Sequence, residues 1–202
     1  MDNQPLLHYE VAYPERLSRL LIFVKWLLII PHLFVIAILG FALYVTTFFA
    51  WFAILIVGRY PRGLWDFAMM TLRWQARLNA YIYLQRDEYP PFGDGDYPVT
   101  FEMAYPERMS RLLIFVKWLL IIPHAIVLYI LGVALYVVWL IAWFAILITG
   151  RYPQGMFDFV TGVSRWAYRV TAYVLMLTDA YPPFTLSAPA VPPATMAPRP
   201  SF

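Results

Sequence analysis

Leu20-Leu-Ile-Phe-Val-Lys-Trp-Leu-Leu-Ile-Ile-Pro-His32 returns unchanged as Leu112 to His124, an offset of 112 − 20 = 92 residues. An identity of this length marks an internal repeat, and a repeat sets the unit of the whole fold. At the same offset Ala12-Tyr-Pro-Glu-Arg-Leu-Ser-Arg19 becomes Ala104-Tyr-Pro-Glu-Arg-Met-Ser-Arg111, and Gly58-Arg-Tyr-Pro61 becomes Gly150-Arg-Tyr-Pro153. Asp66, Arg73-Trp74 and Tyr89-Pro-Pro-Phe92 return as Asp158, Arg165-Trp166 and Tyr181-Pro-Pro-Phe184. Two copies of one unit therefore make up the chain: residues 1–92 and 101–184, joined by a linker at 93–100. Residues 185–202, rich in Pro and Ala, lack apolar mass and read as a disordered tail.

The 202 residues are 62% hydrophobic and 13% charged, against roughly half and a quarter in soluble proteins, which excludes an ordinary water-soluble enzyme. The aromatic share of 19% suits a protein that meets lipid headgroups. With no cysteine there is no disulfide, thiolate ligand or catalytic thiol. A net charge of +3 is too small for nucleic-acid binding.

Within each unit no Asp, Glu, Lys or Arg occurs from Trp26 to Gly58, or from Trp118 to Gly150. As one helix that run would be about 50 Å long, well beyond a hydrocarbon layer of about 30 Å. The expectation is thus a transmembrane helical hairpin at about 17–58, turning near Gly40, and another at about 109–150. Arg19 and Lys25 would snorkel to the headgroups. A third helix follows each hairpin, at about 61–84 and 153–177, opened by a Pro. Its arginines argue for an amphipathic interfacial helix rather than a third span. The fold expected is all-α and integral to the membrane: parallel repeats about a pseudo-twofold axis along the membrane normal. The basic residues flanking the hairpins put both termini in the cytoplasm, and the N-terminus lacks the pattern of a cleaved signal.

Four sets of residues are candidates for function. Tyr13, Glu15 and Arg16, with Tyr105, Glu107 and Arg108, read as helix starts at the membrane interface or, being duplicated, as docking sites for a partner or a lipid headgroup. His32 and His124 each follow a Pro inside an apolar segment. They are hydrogen-bonded structural imidazoles, or ligands of a haem iron if they face each other across the axis, or each the ligand of a chlorophyll-type pigment, or groups that handle a proton or substrate. Arg73, Arg77, Arg165 and Arg169 share a stripe with Asp66 and Asp158. They bind anionic lipid headgroups, form a solvated polar face, or pair with the Asp residues to hold the helix to the hairpin ends. Trp26, Trp51, Tyr60, Trp65 and Trp74 read as belt anchors. No phosphate loop, metal-spaced cluster or catalytic triad is present in the sequence, so no catalytic or metal-binding residue is assigned.

The repeated Tyr-Pro-Glu-Arg-x-Ser-Arg start, the Lys-Trp-Leu-Leu-Ile-Ile-Pro-His segment, the Trp-Phe-Ala-Ile-Leu-Ile exit and the Gly-Arg-Tyr-Pro link resemble an uncharacterised bacterial membrane family, the domain of unknown function 4389. The resemblance covers residues 9–184. It implies a bacterial integral membrane protein and no activity; the location expected is the bacterial cytoplasmic (inner) membrane. By elimination the expected function is a non-enzymatic accessory or scaffold subunit. Its partners would be membrane lipids and other membrane subunits or further copies of itself. The alternatives are a reticulon-like membrane-shaping protein and a haem or pigment carrier or small transporter using His32 and His124.

Overall fold

The apolar run folds as one long helix where two short ones were expected. In the computed structural model, which describes residues 7–93 and 95–188, α1 is a single turn (Lys25–Leu28) and α2 runs unbroken over Ile30–Val57. Pro31 lies in the first turn of α2, where its missing N–H costs no bond. The 28 residues of α2 extend about 42 Å. Gly40 sits inside the helix, so the hairpin at 17–58 is not formed. A lone glycine lowers helix stability by about 1 kcal/mol but does not by itself reverse a chain. The reversal comes at Gly58, which adopts the left-handed conformation at φ +74° that caps a helix. Pro61 then opens α3 (Arg62–Ile82).

The second unit repeats this path. Here α4 (Leu113–Leu120) precedes α5 (Ile122–Thr149), Gly150 caps at φ +70°, and α6 (Gln154–Val174) follows. The hairpin at 109–150 is likewise replaced by a continuous helix. Among the described residues two segments, Ile30–Val57 and Leu113–Thr149, are long and apolar enough to cross a membrane.

Tyr13-Pro-Glu-Arg16 does not start a helix. It continues from strand β1 (His8–Val11) as extended chain and crosses to the other unit, where Leu17 N–H donates to Gly150 C=O at 2.8 Å. Met109 N–H returns the same bond to Gly58 C=O at 2.9 Å. The linker expected at 93–100 gives its last two residues to strand β2 (Val99–Glu102). β1 and β2 pair antiparallel, His8 with Glu102, Tyr9 with Phe101 and Glu10 with Thr100. Tyr9 and Phe101 are repeat equivalents, and His8 with Glu102 mirrors Glu10 with Thr100. A pseudo-twofold axis therefore passes between Tyr9 and Phe101, perpendicular to the strand pair.

Three layers stack along that axis. Alternation along the strands turns Tyr9, Val11, Val99 and Phe101 inward and Glu10, Thr100 and Glu102 outward. Beneath the strands lie α3 and α6. They pass each other in opposite directions, as shown by Asn79 of α3 bonding Tyr168 of α6 and Gln85 bonding Thr161. On α3, Arg73 and Arg77 face the strands, while Gln75 and Asn79 lie about 200° and 240° further round, on the opposite face. That face meets the third layer, α2 and α5, each antiparallel to the helix that follows it. α2 buries one stripe, His32, Leu43, Ala50 and Ile54, and leaves most of its circumference open. Phe34 (71%), Phe41 (72%) and Ile56 (72%) are among its exposed side chains. Phe23 against Trp143 and Phe115 against Trp51 join the layer's ends across the two units.

The amphipathic helix expected at 61–84 exists, but it is covered on both faces. The tail expected at 185–202 is bound at its start, because Leu186 packs on the core. Residues 189–202 lie outside the described residues, as do Asp2 and Phe202.

Candidate functional site

His32 and His124 sit in matching aromatic cages. Trp74 Nε1–H donates to His32 Nδ1 at 3.1 Å, and Trp166 Nε1–H to His124 Nδ1 at 3.0 Å. Phe92 stacks on the His32 ring at 4.0 Å, and Phe184 on His124 at 3.9 Å. Tyr89 and Tyr181 approach each imidazole at 4.9 Å. An indole N–H pointing at Nδ1 requires the neutral ring to carry its proton on Nε2. For His32 that nitrogen is enclosed, with the Pro90 backbone beside it. Both imidazoles are fully buried, and each cage comes from its own unit. A haem or chlorophyll-type macrocycle needs an open coordinating nitrogen and a flat space above it, and these residues leave neither. The geometry matches the hydrogen-bonded imidazole among the sequence readings, and it does not fit the alternative of ligation.

The arginine stripe is also turned inward. Arg73 Nε–H donates to Phe101 C=O at 3.1 Å and Arg77 to Gly93 C=O at 2.7 Å. Arg165 donates to Tyr9 C=O at 2.9 Å and to Leu186 C=O at 2.7 Å, while Arg169 reaches Ser187 C=O at 2.8 Å. Arg165 and Arg169 are buried, and burial pushes both guanidinium groups below their ordinary range. Each unit's first stripe arginine thus holds the other unit's strand, since 73 + 92 = 165 and 9 + 92 = 101. On this stripe all four arginines donate to backbone carbonyls, while Arg73 and Arg77 stay half-buried. Asp66 pairs with Arg62 one turn earlier and not with the stripe.

Of the duplicated docking residues, the tyrosines are occupied within the chain. Tyr13 O–H donates to Tyr152 C=O and its ring meets Phe157 at 5.0 Å; Tyr105 O–H donates to Tyr60 C=O and meets Trp65 at 5.4 Å. Glu15, Arg16, Glu107 and Arg108 are exposed. Among the belt candidates Trp26 is exposed, whereas Tyr60, Trp65 and Trp74 are buried.

Two lysines inside the apolar stretch do not snorkel. Lys25 Nζ donates to Arg86 C=O at 2.6 Å and lies 2.8 Å from Asp87, and Lys117 repeats this with Thr178 and Asp179 at 2.7 and 2.8 Å. Burial pushes the Lys25 ammonium below its ordinary range, and Asp87 opposes the shift. Asp87 also accepts Ser18 N–H.

One cavity lies on the axis, between α2 and α5 above and α3 and α6 below, with a volume of about 530 Å³. Its walls include Leu43 and Leu135, and its floor is polar: Gln75, Asn79, Tyr83, Tyr168 and Thr171. No charged side chain lines it. Sequence reasoning missed this site, although Gln75 and Asn79, one turn apart on α3, were its signal. Among the described residues no group of three or more His, Asp or Glu is placed to hold a metal ion.

The sequence profile of the domain of unknown function DUF4389 matches residues 19–93 and again 111–185. The chain belongs to the DUF4389 family. Its two tandem DUF4389 copies are the two halves related by the axis, and each profile copy includes one histidine cage and one lysine pair. No curated protein and no solved structure matches the chain.

Proposed function

We propose that the protein is a non-enzymatic membrane-seated scaffold, with α2 and α5 lying flat in one leaflet and the strand pair displayed to water. One observation carries this reading: the exposed apolar side chains of α2 and α5 and the exposed Glu10 and Glu102 occupy opposite poles of the same axis. Lipid supplies the cover that apolar surface of this extent lacks.

Length alone equally suits two spans. If α2 and α5 crossed the bilayer, however, the axis would lie in the membrane plane and the strand pair at mid-bilayer. Glu10, Glu102 and two open strand edges would then face hydrocarbon, where each unsatisfied backbone group costs several kcal/mol. The flat seat avoids this. It also keeps the axis along the membrane normal and both units in the same orientation, with the bacterial inner membrane as the seat and the strand side cytoplasmic. Insertion into one leaflet favours a second role, membrane shaping, because it expands that leaflet alone. The other partners are membrane subunits that read the exposed Glu15, Arg16, Glu107 and Arg108.

The test is depth. A chain without cysteine accepts single cysteines at Phe34, Phe41, Phe48 and Ile56, each labelled with a fluorophore and quenched by lipids carrying bromines at known depths. The four should report one shallow depth. A profile deepest at Phe41 and rising towards both ends would establish spans and overturn the flat seat.

A further inference from the structure

Resting on the membrane-seated reading, we infer that the axial cavity binds one lipid with an uncharged, hydroxyl-bearing head, of the mono- or diacylglycerol class, taken from the leaflet in which α2 and α5 lie.

The cavity opens within the apolar layer, at Tyr44, which is 74% exposed. Gln75 is an exposed residue between two buried neighbours, Trp74 and Ala76, and its amide lines this space. In a mouth filled by lipid, an amide without a hydrogen-bonding partner is costly, so the site favours an occupant that both donates and accepts. A hydroxyl beside an ester does so. Phosphate, carboxylate and ammonium heads do not fit, because no charged side chain lines the cavity and a charge held there without a partner is expensive.

The size agrees. A volume of about 530 Å³ falls within the roughly 300–1,000 Å³ of ligand pockets and suits a glycerol head with the first part of its chains. At Gly40 and Gly132, which face each other across the opening, an added Cβ would meet nothing within 4 Å, so the space beside them is clear. The framework is twofold but the floor is not. Gln75 lies opposite Ala167 and Asn79 opposite Thr171, their equivalents at 75 + 92 and 79 + 92. An asymmetric set of polar groups matches one asymmetric ligand better than a symmetric pair.

The experiment uses the full chain in phosphatidylcholine vesicles containing a monoacylglycerol with a photoreactive diazirine near its head, cross-linked peptides being read by mass spectrometry. Cross-links are expected on the cavity face of α3 and α6, with unlabelled monoolein competing and phosphatidylglycerol not. Gly40→Leu with Gly132→Leu should fill the cavity and abolish those cross-links. Gln75→Leu should weaken competition by monoolein about tenfold, the equivalent of one hydrogen bond. Circular dichroism checks that each variant is folded.

Cross-links confined to outward residues such as Phe34 and Phe48, floor cross-links unchanged in the leucine variants, or equal competition by phosphatidylglycerol would each overturn the inference while leaving the membrane seat intact. Failure of the wild type to float with vesicles would instead remove the membrane seat. The same probe in detergent then reports on the cavity alone, and absence of floor cross-links there also overturns the site.

Discussion

Tyr9 and Phe101, equivalent residues of the two repeats, stand opposite each other in the strand pair, and the rings of both meet Tyr168 of α6, at 5.1 and 5.2 Å. The pseudo-twofold axis therefore runs through a buried aromatic contact, and the two family domains are built as one body. Each unit lends its leading strand and tyrosine to the other. A single copy would leave the carbonyls of Gly58 and Tyr60, and the guanidinium of Arg73, without their partners.

The histidine cages should answer as structural pairs. Trp74→Phe removes the donor to His32 Nδ1 and leaves a buried acceptor unmet, at about 1–3 kcal/mol. Adding His32→Phe removes the acceptor as well and should recover part of that loss. Chemical unfolding in detergent checks this. A double variant less stable than the sum of its singles would mean the imidazole does more than accept the indole N–H.

Lys25→Met should destabilise by about 3 kcal/mol, because the side chain is buried and Asp87 loses its cation. Asp87→Asn in the same chain keeps an acceptor for Ser18 N–H and should restore much of the loss. A double-mutant cycle on thermal unfolding measures the coupling. Additive effects would show the pair to be indifferent.

The arginines should behave as struts. Arg165→Gln gives up bonds to two carbonyls and should cost more than Arg73→Gln, which gives up one, by about 1–2 kcal/mol. Retention of phosphatidylglycerol or cardiolipin in native mass spectrometry should be the same in both variants and the wild type. Loss of anionic lipid from a variant of unchanged stability would restore the headgroup role.

The glycine inside α2 and the glycine that caps it should respond with opposite sign. Gly40→Ala, in mid-helix with open space at its Cβ, should stabilise by up to about 1 kcal/mol. Gly58→Ala, at φ +74° and close to Arg111, should destabilise by about 1–2 kcal/mol. Destabilisation by Gly40→Ala would support a turn there.

Much of the architecture was legible because it is local or repeated. The offset of 92 residues marked both units, Pro61 and Pro153 marked the starts of α3 and α6, and the spacing of Arg73 and Arg77 placed them on one face. Chain reversal was misread. The uncharged run, longer than one bilayer thickness, suggested two spans, and Gly40 was the glycine near its middle. Gly58, followed by Pro61, was the stronger signal, since a left-handed cap ends a helix whereas a glycine between good helix formers does not.

By itself the sequence determined the duplication, the apolar character of α2 and α5, the amphipathic character of α3 and α6, and the absence of thiol chemistry. These depend on residue identity and on periodicity along a single element. Only the tertiary structure decided which groups meet: Trp74 with His32, Lys25 with Asp87, Arg165 with Tyr9 of the other unit, and Gln75 with a cavity on the axis. Their partners lie 42, 62, 156 and, for Gln75 and Tyr168 across the cavity, 93 residues apart. Periodicity reports the direction in which a side chain points and carries no information about what another part of the chain places there. A buried polar group accepts any partner of suitable chemistry, and packing alone selects among them.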